Sequence, residues 1–405
     1  MKSTCRRLGL FLLVSLVVFT VGRVCAQDRD DRDNRDRRSV QVGGCKPNFP
    51  NFATLSAAVG SVAPGSTILV CPGTYAEQVT IAQPLNLQGI TAGTADRVLV
   101  TVPSAGLVQN ATSIFGEGVA AQILVAGPGQ VNISNISVDG TGGDLSCAGN
   151  VWIAGIFYGS GSSGSVTRVR ASGQINATCG VGIWAENGSN GGQWVAIQDS
   201  SVYNVDSAGI FAGSGANPSL SVDVRGNVVN TSAAVADIDA DSVNGELRAN
   251  DLGNATFGVF DISPAVSVDV NAILGATNGI YLANGGTANN NHISGANIGV
   301  LLGANGATVS NNRIVSSTTA GVEVGCFNAN VYNNFINDAP VALDAAPSGS
   351  VGSNTFANTA TTITDGCAVA AFAPRAPRAN SVHASVTNSW QQWHTPATPF
   401  GTRTK

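Results

Sequence analysis

Apolar and polar residues alternate along most of this chain in short runs, and the runs return at a regular distance. Asn291-His292-Ile293 recurs as Asn312-Arg313-Ile314, Asn334-Phe335-Ile336 and Asn354-Thr355-Phe356, in steps of 21, 22 and 20 residues. A second marker, glycine followed by an apolar residue, runs through Gly155-Ile156, Gly182-Ile183, Gly209-Ile210, Gly279-Ile280, Gly299-Val300 and Gly321-Val322. Asp237-Ile238 and Val259-Phe260 fill the gap without the glycine. A period of 20 to 28 residues with alternating strands is what one coil of a β-solenoid needs. Coils then stack roughly 4.8 Å apart, and residues one coil apart become neighbours. The fixed leucine pattern of a leucine-rich repeat is absent, and a propeller would need a period of about 40.

The start of the solenoid is readable too. Phe52, Leu55 and Val59 share one face of a short helix expected over 51–60, suited to covering the open edge of the first coil. Strands are expected at 67–71, 78–81 and 85–88, and the longer coils between Gly140 and Pro218 imply loops on one side. The solenoid is therefore placed at 40–372, with a tail at 373–405.

Composition agrees with an all-β chain. Only 11% of residues are charged and 49 are glycine, whereas helices need long charged side chains on their wet faces. Residues 1–26 read as a signal peptide: Arg6-Arg7, an apolar run from Leu8 to Val21, then Val24-Cys25-Ala26. Residues 27–39 alternate Asp and Arg as a solvated linker. The expectation is a secreted, extracellular or periplasmic chain with no membrane insertion once the leader is removed. Six cysteines remain, and their spacing favours Cys45–Cys71, Cys147–Cys179 and Cys326–Cys367 among the pairings open to them. Between Ser39 and Pro374 stand 20 acidic and seven basic residues. A net charge of −13 disfavours nucleic acid, which needs Lys and Arg to displace counterions, and equally disfavours polyanionic sugars unless calcium bridges them.

The segment Phe52-Ala53-Thr54-Leu55, Pro64-Gly65-Ser66-Thr67-Ile68 and Pro72-Gly73-Thr74-Tyr75-Ala76-Glu77-Gln78-Val79-Thr80-Ile81 resembles the opening of pectinesterases. More broadly, the chain resembles right-handed parallel β-helix proteins of the pectin-lyase-like superfamily, over roughly 40–370. The resemblance implies a right-handed parallel β-helix and an extracellular polysaccharide context. The superfamily's chemistry does not carry over. The pectinesterase pattern of two aspartates and an arginine is missing, and Asn-Thr-Asp, Asp-Asp and Gly-His-Gly do not stand in the repeat region. Arg375-Ala376-Pro377-Arg378 is a near miss to the pectate-lyase arginine motif, beyond the last coil. Tyr75 and Glu77 read as structural residues of the first coils.

Register supplies a candidate site. If Ile156, Ile183, Ile210, Ile238, Phe260, Ile280, Val300 and Val322 point inward, then Phe157, Trp184, Phe211, Asp239, Asp261, Tyr281, Leu301 and Glu323 stand in one outward stripe. Aromatic faces suit the apolar side of a sugar ring, and carboxylates accept its hydroxyl hydrogens. Glu186 and Asp241, two positions further on, extend the polar rim. Two readings of the stripe stay open: a ligand groove, or a ladder packed beneath loops or the tail with its Trp390, Trp393 and Phe400. Asp239 and Asp261 are the catalytic candidates, since stacked carboxyls about 5 Å apart suit a retaining glycosidase. Asp237, Asp239 and Asp241 alternate along one strand as candidate calcium ligands, and no other cofactor is indicated. The sequence thus favours a β-helix that binds extracellular polysaccharide without a catalytic motif. A glycan-cleaving enzyme and a structural or adhesive surface protein are the alternatives, and the oligomeric state is left open.

Overall fold

A computed structural model describes residues 39–365, apart from 92–96, 144, 146–150, 177, 189–190, 216–218, 233 and 346–348. The leader, the linker, the tail and the cysteines at 147 and 367 lie outside the described residues. The chain is a right-handed parallel β-helix. Each coil visits three sheets in turn, which hold 14, 12 and 13 of the described strands. One coil runs through Leu220–Arg225 in the first sheet, Val228–Asn230 in the second and Ala236–Asp241 in the third. Pairing among the described strands is parallel throughout, except where Ala111–Thr112 folds back antiparallel on Gly118–Val125.

Columns of branched apolar residues fill the interior. In the third sheet the column is Ile156, Ile183, Ile210, Ile238, Val259, Ile280, Val300, Val322 and Leu343, all buried. The coil holding Val259 corrects the expected register by one residue. Val259, not Phe260, pairs with Ile238 and Ile280, 21 residues from each, and Gly258 supplies the missing marker glycine. The marker has a packing cause. A Cβ at Gly209 would meet Val229 Cγ1 at 2.3 Å, and one at Gly321 would meet Ile336 Cγ2 at 2.4 Å, so side chains from the second sheet occupy that space.

Between the first and second sheets, an asparagine ladder satisfies the buried turn. Asn227, Asn250, Asn271, Asn291, Asn312, Asn334 and Asn354 stack, each Oδ1 from Asn250 onward accepting the backbone N–H and the Nδ2 of the asparagine one coil before. The preceding residue in most coils is left-handed, as at Asn290, Asn311 and Asn333, a conformation asparagine tolerates.

The first coil is capped as expected, with a shorter helix. Asn51–Phe52 is strand, and the helix is Leu55–Ser61, N-capped by Thr54. The Glu77 carboxylate accepts the backbone N–H groups of Leu55 (2.8 Å) and Ser56 (3.0 Å), a second cap delivered from the strand below. The Tyr75 hydroxyl donates to the Cys71 carbonyl at 2.7 Å. Cys45 and Cys71 form a disulfide. Cys179 and Cys326 are also disulfide-bonded, and their expected partners are the cysteines outside the described residues. No helix among the described residues is long and apolar enough to cross a membrane.

Candidate functional site

The expected outward stripe lies on the third sheet, and its aromatic part is covered. Phe157, Trp184 and Phe211 align on successive strands and are 1%, 2% and 0% exposed. Their rings contact in series, Phe157 to Trp184 at 5.1 Å and Trp184 to Phe211 at 5.3 Å, with Trp152 edge-on to Trp184 at 5.9 Å. Part of the cover is the hairpin between Ala111–Thr112 and Gly118–Val125. Its tip places Phe115 edge-on to Phe211 at 5.9 Å, and its Ile114 N–H donates to Glu186 Oε1 at 3.0 Å. The ladder is therefore the packed alternative, not an open groove.

Lower in the stripe, the one-residue register correction takes the proposed catalytic pair out of one column. Asp239 pairs with Phe260, whereas Asp261 pairs with Ala240 and Leu282 in an inward column. Phe260 takes the stripe position assigned to Asp261, packing on Phe257 (5.1 Å) and Tyr281 (5.3 Å), and Tyr281 is buried with it. Asp261 instead closes a turn, its Oδ1 accepting the Ser263 N–H at 2.8 Å. The stacked acids that do share the stripe are Glu323 and Asp344, paired on successive strands and half-buried. The Thr364 hydroxyl donates to Asp344 at 2.7 Å. Alternating hydrophobicity could have found Asp344, since Val341-Ala342-Leu343-Asp344 repeats the spacing of Gly321-Val322-Glu323.

The three aspartates expected to share one solvent face do not do so. Asp237 does not face solvent with Asp239 and Asp241, because it occupies the marker-glycine position and is fully buried. Its Oδ1 accepts the Thr231 hydroxyl at 2.6 Å. Asp239 is buried too, and Asp241 is half-buried with its Oδ1 accepting from Ser242 at 2.8 Å. Among the described residues, no group of three or more His, Cys, Asp or Glu side chains is gathered to hold a metal ion.

Burial makes these acids hard to ionise. It pushes Glu186, Asp237 and Asp261 up to about 8. It raises Asp239 well above the usual carboxylate range, with Asp241 and Asp261 adding repulsion. It also raises Asp241, and it raises Glu323 with help from Asp344. The Trp184 indole N–H faces Glu186 and partly offsets its burial, whereas the buried Asp239 Oδ1 has no hydrogen-bond partner. Each buried polar atom left unpaired costs about 1–3 kcal/mol.

The outer side of the first sheet is open to solvent. Trp194 stands there 43% exposed, in register with Ser221 and Asn244 on the next two strands. The neighbouring rows run Ala196, Asp223, Glu246, Ser267 and Gln198, Arg225, Arg248, Asp269. Gln198 Nε2 donates to Asp223 at 2.7 Å. Arg225 lies 3.5 Å from Asp223 and Arg248 lies 3.9 Å from Asp269, loose pairs on an exposed face. Sequence reasoning missed this surface, although Gln193-Trp194-Val195-Ala196-Ile197 carries an alternation that turns Trp194 outward.

No family model matches the chain, and no curated protein matches it in sequence. Solved structures similar to it include the A-module of the Azotobacter vinelandii mannuronan C-5 epimerase AlgE4, at 14% identity over 76% of this chain and 90% of that one, TM-score 0.45. The GH136 lacto-N-biosidase of Eubacterium ramulus is similar at 10% identity over 81% and 69%, TM-score 0.47. The periplasmic alginate epimerase AlgG is similar at 13% identity over 76% and 83%, TM-score 0.46.

Proposed function

We propose that this protein is an exported β-helix that binds a neutral or weakly charged extracellular glycan along the outer side of its first sheet. The observation that carries the reading is Trp194, a large ring left 43% exposed on a flat face whose adjoining rows hold amide, hydroxyl and carboxylate groups. An aromatic face takes the C–H side of a sugar ring, and the flanking polar groups take its hydroxyls. Arg225 and Arg248 stand among Asp223, Glu246 and Asp269, so the local field is mixed and selects neither strong anions nor strong cations. Export is supported by the leader-like pattern of residues 1–26 and by the Cys45–Cys71 disulfide. The test is affinity chromatography on immobilised cellulose, mannan, galactan and starch. Trp194→Ala elutes earlier from the glycan that retains the parent, with an unchanged melting curve. Equal retention of parent and variant on every such glycan overturns the proposal.

Glycan cleavage is the second reading, and Glu323 with Asp344 favours it. Glu323 is raised by burial, with Asp344 adding repulsion, and it stacks on that second half-buried acid one coil away, as a pair of catalytic carboxyls would. New reducing ends released by the parent and lost in Glu323→Gln would support cleavage, and their absence in the parent removes it.

A further inference from the structure

The two ends of the solenoid differ. The first coil lies under the helix Leu55–Ser61, whereas the last described coil turns its inward residues toward solvent. Val351, Phe356 and Ile363 continue the inward columns of Val331, Ile336 and Leu343. Those three, one coil earlier, are at most 1% exposed. Val351 is 38% exposed and Ile363 50%, and Phe356 is only half-buried. Their strands, Ser350–Gly352, Thr355–Ala357 and Thr361–Asp365, each stand last in their sheet. The N–H groups of Ser350, Thr355 and Thr361 donate to the coil before. Backbone groups alternate sides along a strand, so the N–H groups of Val351, Phe356 and Thr362 point at the open end. An apolar patch ringed by three strand edges invites a cover.

Residues 366–405 follow at once, outside the described residues, and the repeat stops in them. Twenty residues past Asn354, where the ladder would place its next asparagine, stands Pro374, which has no N–H to donate. Pro377 comes three residues later, and a proline inside a sheet removes a ladder bond. These 40 residues still carry Phe372, Trp390, Trp393 and Phe400. They hold four basic residues, Arg375, Arg378, Arg403 and Lys405, and no acidic one. The solenoid carries the opposite charge, with Asp338 and Asp344 in the coil before the last. Cys326 is disulfide-bonded, and its expected partner Cys367 would hold the start of the segment against the last coils. We propose that residues 366–405 fold back over the C-terminal end of the solenoid and cap it. Aromatic side chains of the segment cover Val351, Phe356 and Ile363, and its acceptors take the N–H groups of the open edges. The segment is thus the counterpart of the helix over the first coil, and it keeps three strand edges from pairing with a second copy of the chain. The cap does not depend on glycan binding at Trp194.

Amide hydrogen exchange of the full chain, read residue by residue, tests it. The N–H groups of Val351, Phe356 and Thr362 are protected in the parent. They exchange about tenfold faster when Trp390→Ala, Trp393→Ala and Phe400→Ala are combined, because the end opens more readily. Arg375→Glu combined with Arg378→Glu speeds the same three groups by removing the charge attraction. The Asn291 and Asn312 N–H groups keep their protection in both variants and report that the coils remain folded. Should the aromatic variant unfold throughout, the charge variant carries the test. Rapid exchange of the three groups in the parent, unchanged exchange in both variants, or protection that grows with protein concentration as a second copy covers the end overturns the proposal.

Discussion

The Glu186 carboxylate accepts the Ile114 backbone N–H at 3.0 Å, joining residues 72 positions apart and pinning a hairpin tip over the aromatic ladder of the third sheet. Removing that acceptor should release the tip. Glu186→Ala is expected to cost about 1–3 kcal/mol, because Ile114 loses its partner in a part-buried place. Glu186→Gln keeps an acceptor oxygen and should cost less. Limited proteolysis should cut Glu186→Ala within 113–117 first, and equal protease resistance in parent and variant would count against the latch.

Stability should fall as pH rises from about 4 to 8. Burial raises Glu186, Asp237 and Asp261 to about 8, from ordinary values of 4.5 for Glu and 3.8 for Asp. Within that window the folded chain keeps protons that the unfolded chain has lost, so each rise in pH favours unfolding. The effect is absent below the ordinary values and levels off above 8. Each group contributes at most about 1.4 kcal/mol per pH unit. Melting temperatures across pH 4 to 9 check this, and the slope should flatten in Glu186→Gln combined with Asp237→Asn. Stability that rises across this range would contradict it.

Asn291 sits mid-ladder, so its loss strands several groups at once. The Asn271 N–H and Nδ2 donate to its Oδ1, and its own Nδ2 donates to Asn312 Oδ1 and the Val268 carbonyl. Asn291→Ala should destabilise by about 2–4 kcal/mol. Asn354→Ala, at the last rung and only part-buried, should cost less than half as much. Urea unfolding of the two variants measures the difference, and equal costs would show that ladder position does not matter.

Val270 holds a left-handed backbone, φ 57°, where equivalent coils place asparagine at 290, 311 and 333. A β-branched residue is strained there and is also largely exposed, so its side chain gives little in return. Val270→Asn should stabilise the chain by about 1 kcal/mol, read as a rise in the urea midpoint. A fall in the midpoint would mean that packing by Val270 outweighs the strain.

The repeat was legible because a coil has nearly constant length, so the same physical demand returns at the same sequence distance. Asn291, Asn312, Asn334 and Asn354 recur because each satisfies the turn beneath the one before. Glycine at 209 and 321 recurs because second-sheet side chains crowd that backbone. Val259 and Phe260 were ambiguous because both are apolar, and only pairing with Ile238 and Ile280 decides which one faces inward. That single residue moved Asp261 from the stripe to a turn.

By itself, then, the chain's alternation and period determined a stacked parallel coil, most of its inward columns and its capped beginning, since these depend on neighbours one coil away. What lies over an outward face depends on segments far off in sequence, and no local pattern records it. The tertiary structure alone decided that the hairpin tip 113–117 packs on Glu186 and Phe211 while Trp194 on another sheet is left open to solvent. Burial of aromatics by remote loops is set by three-dimensional packing, which period and alternation do not encode.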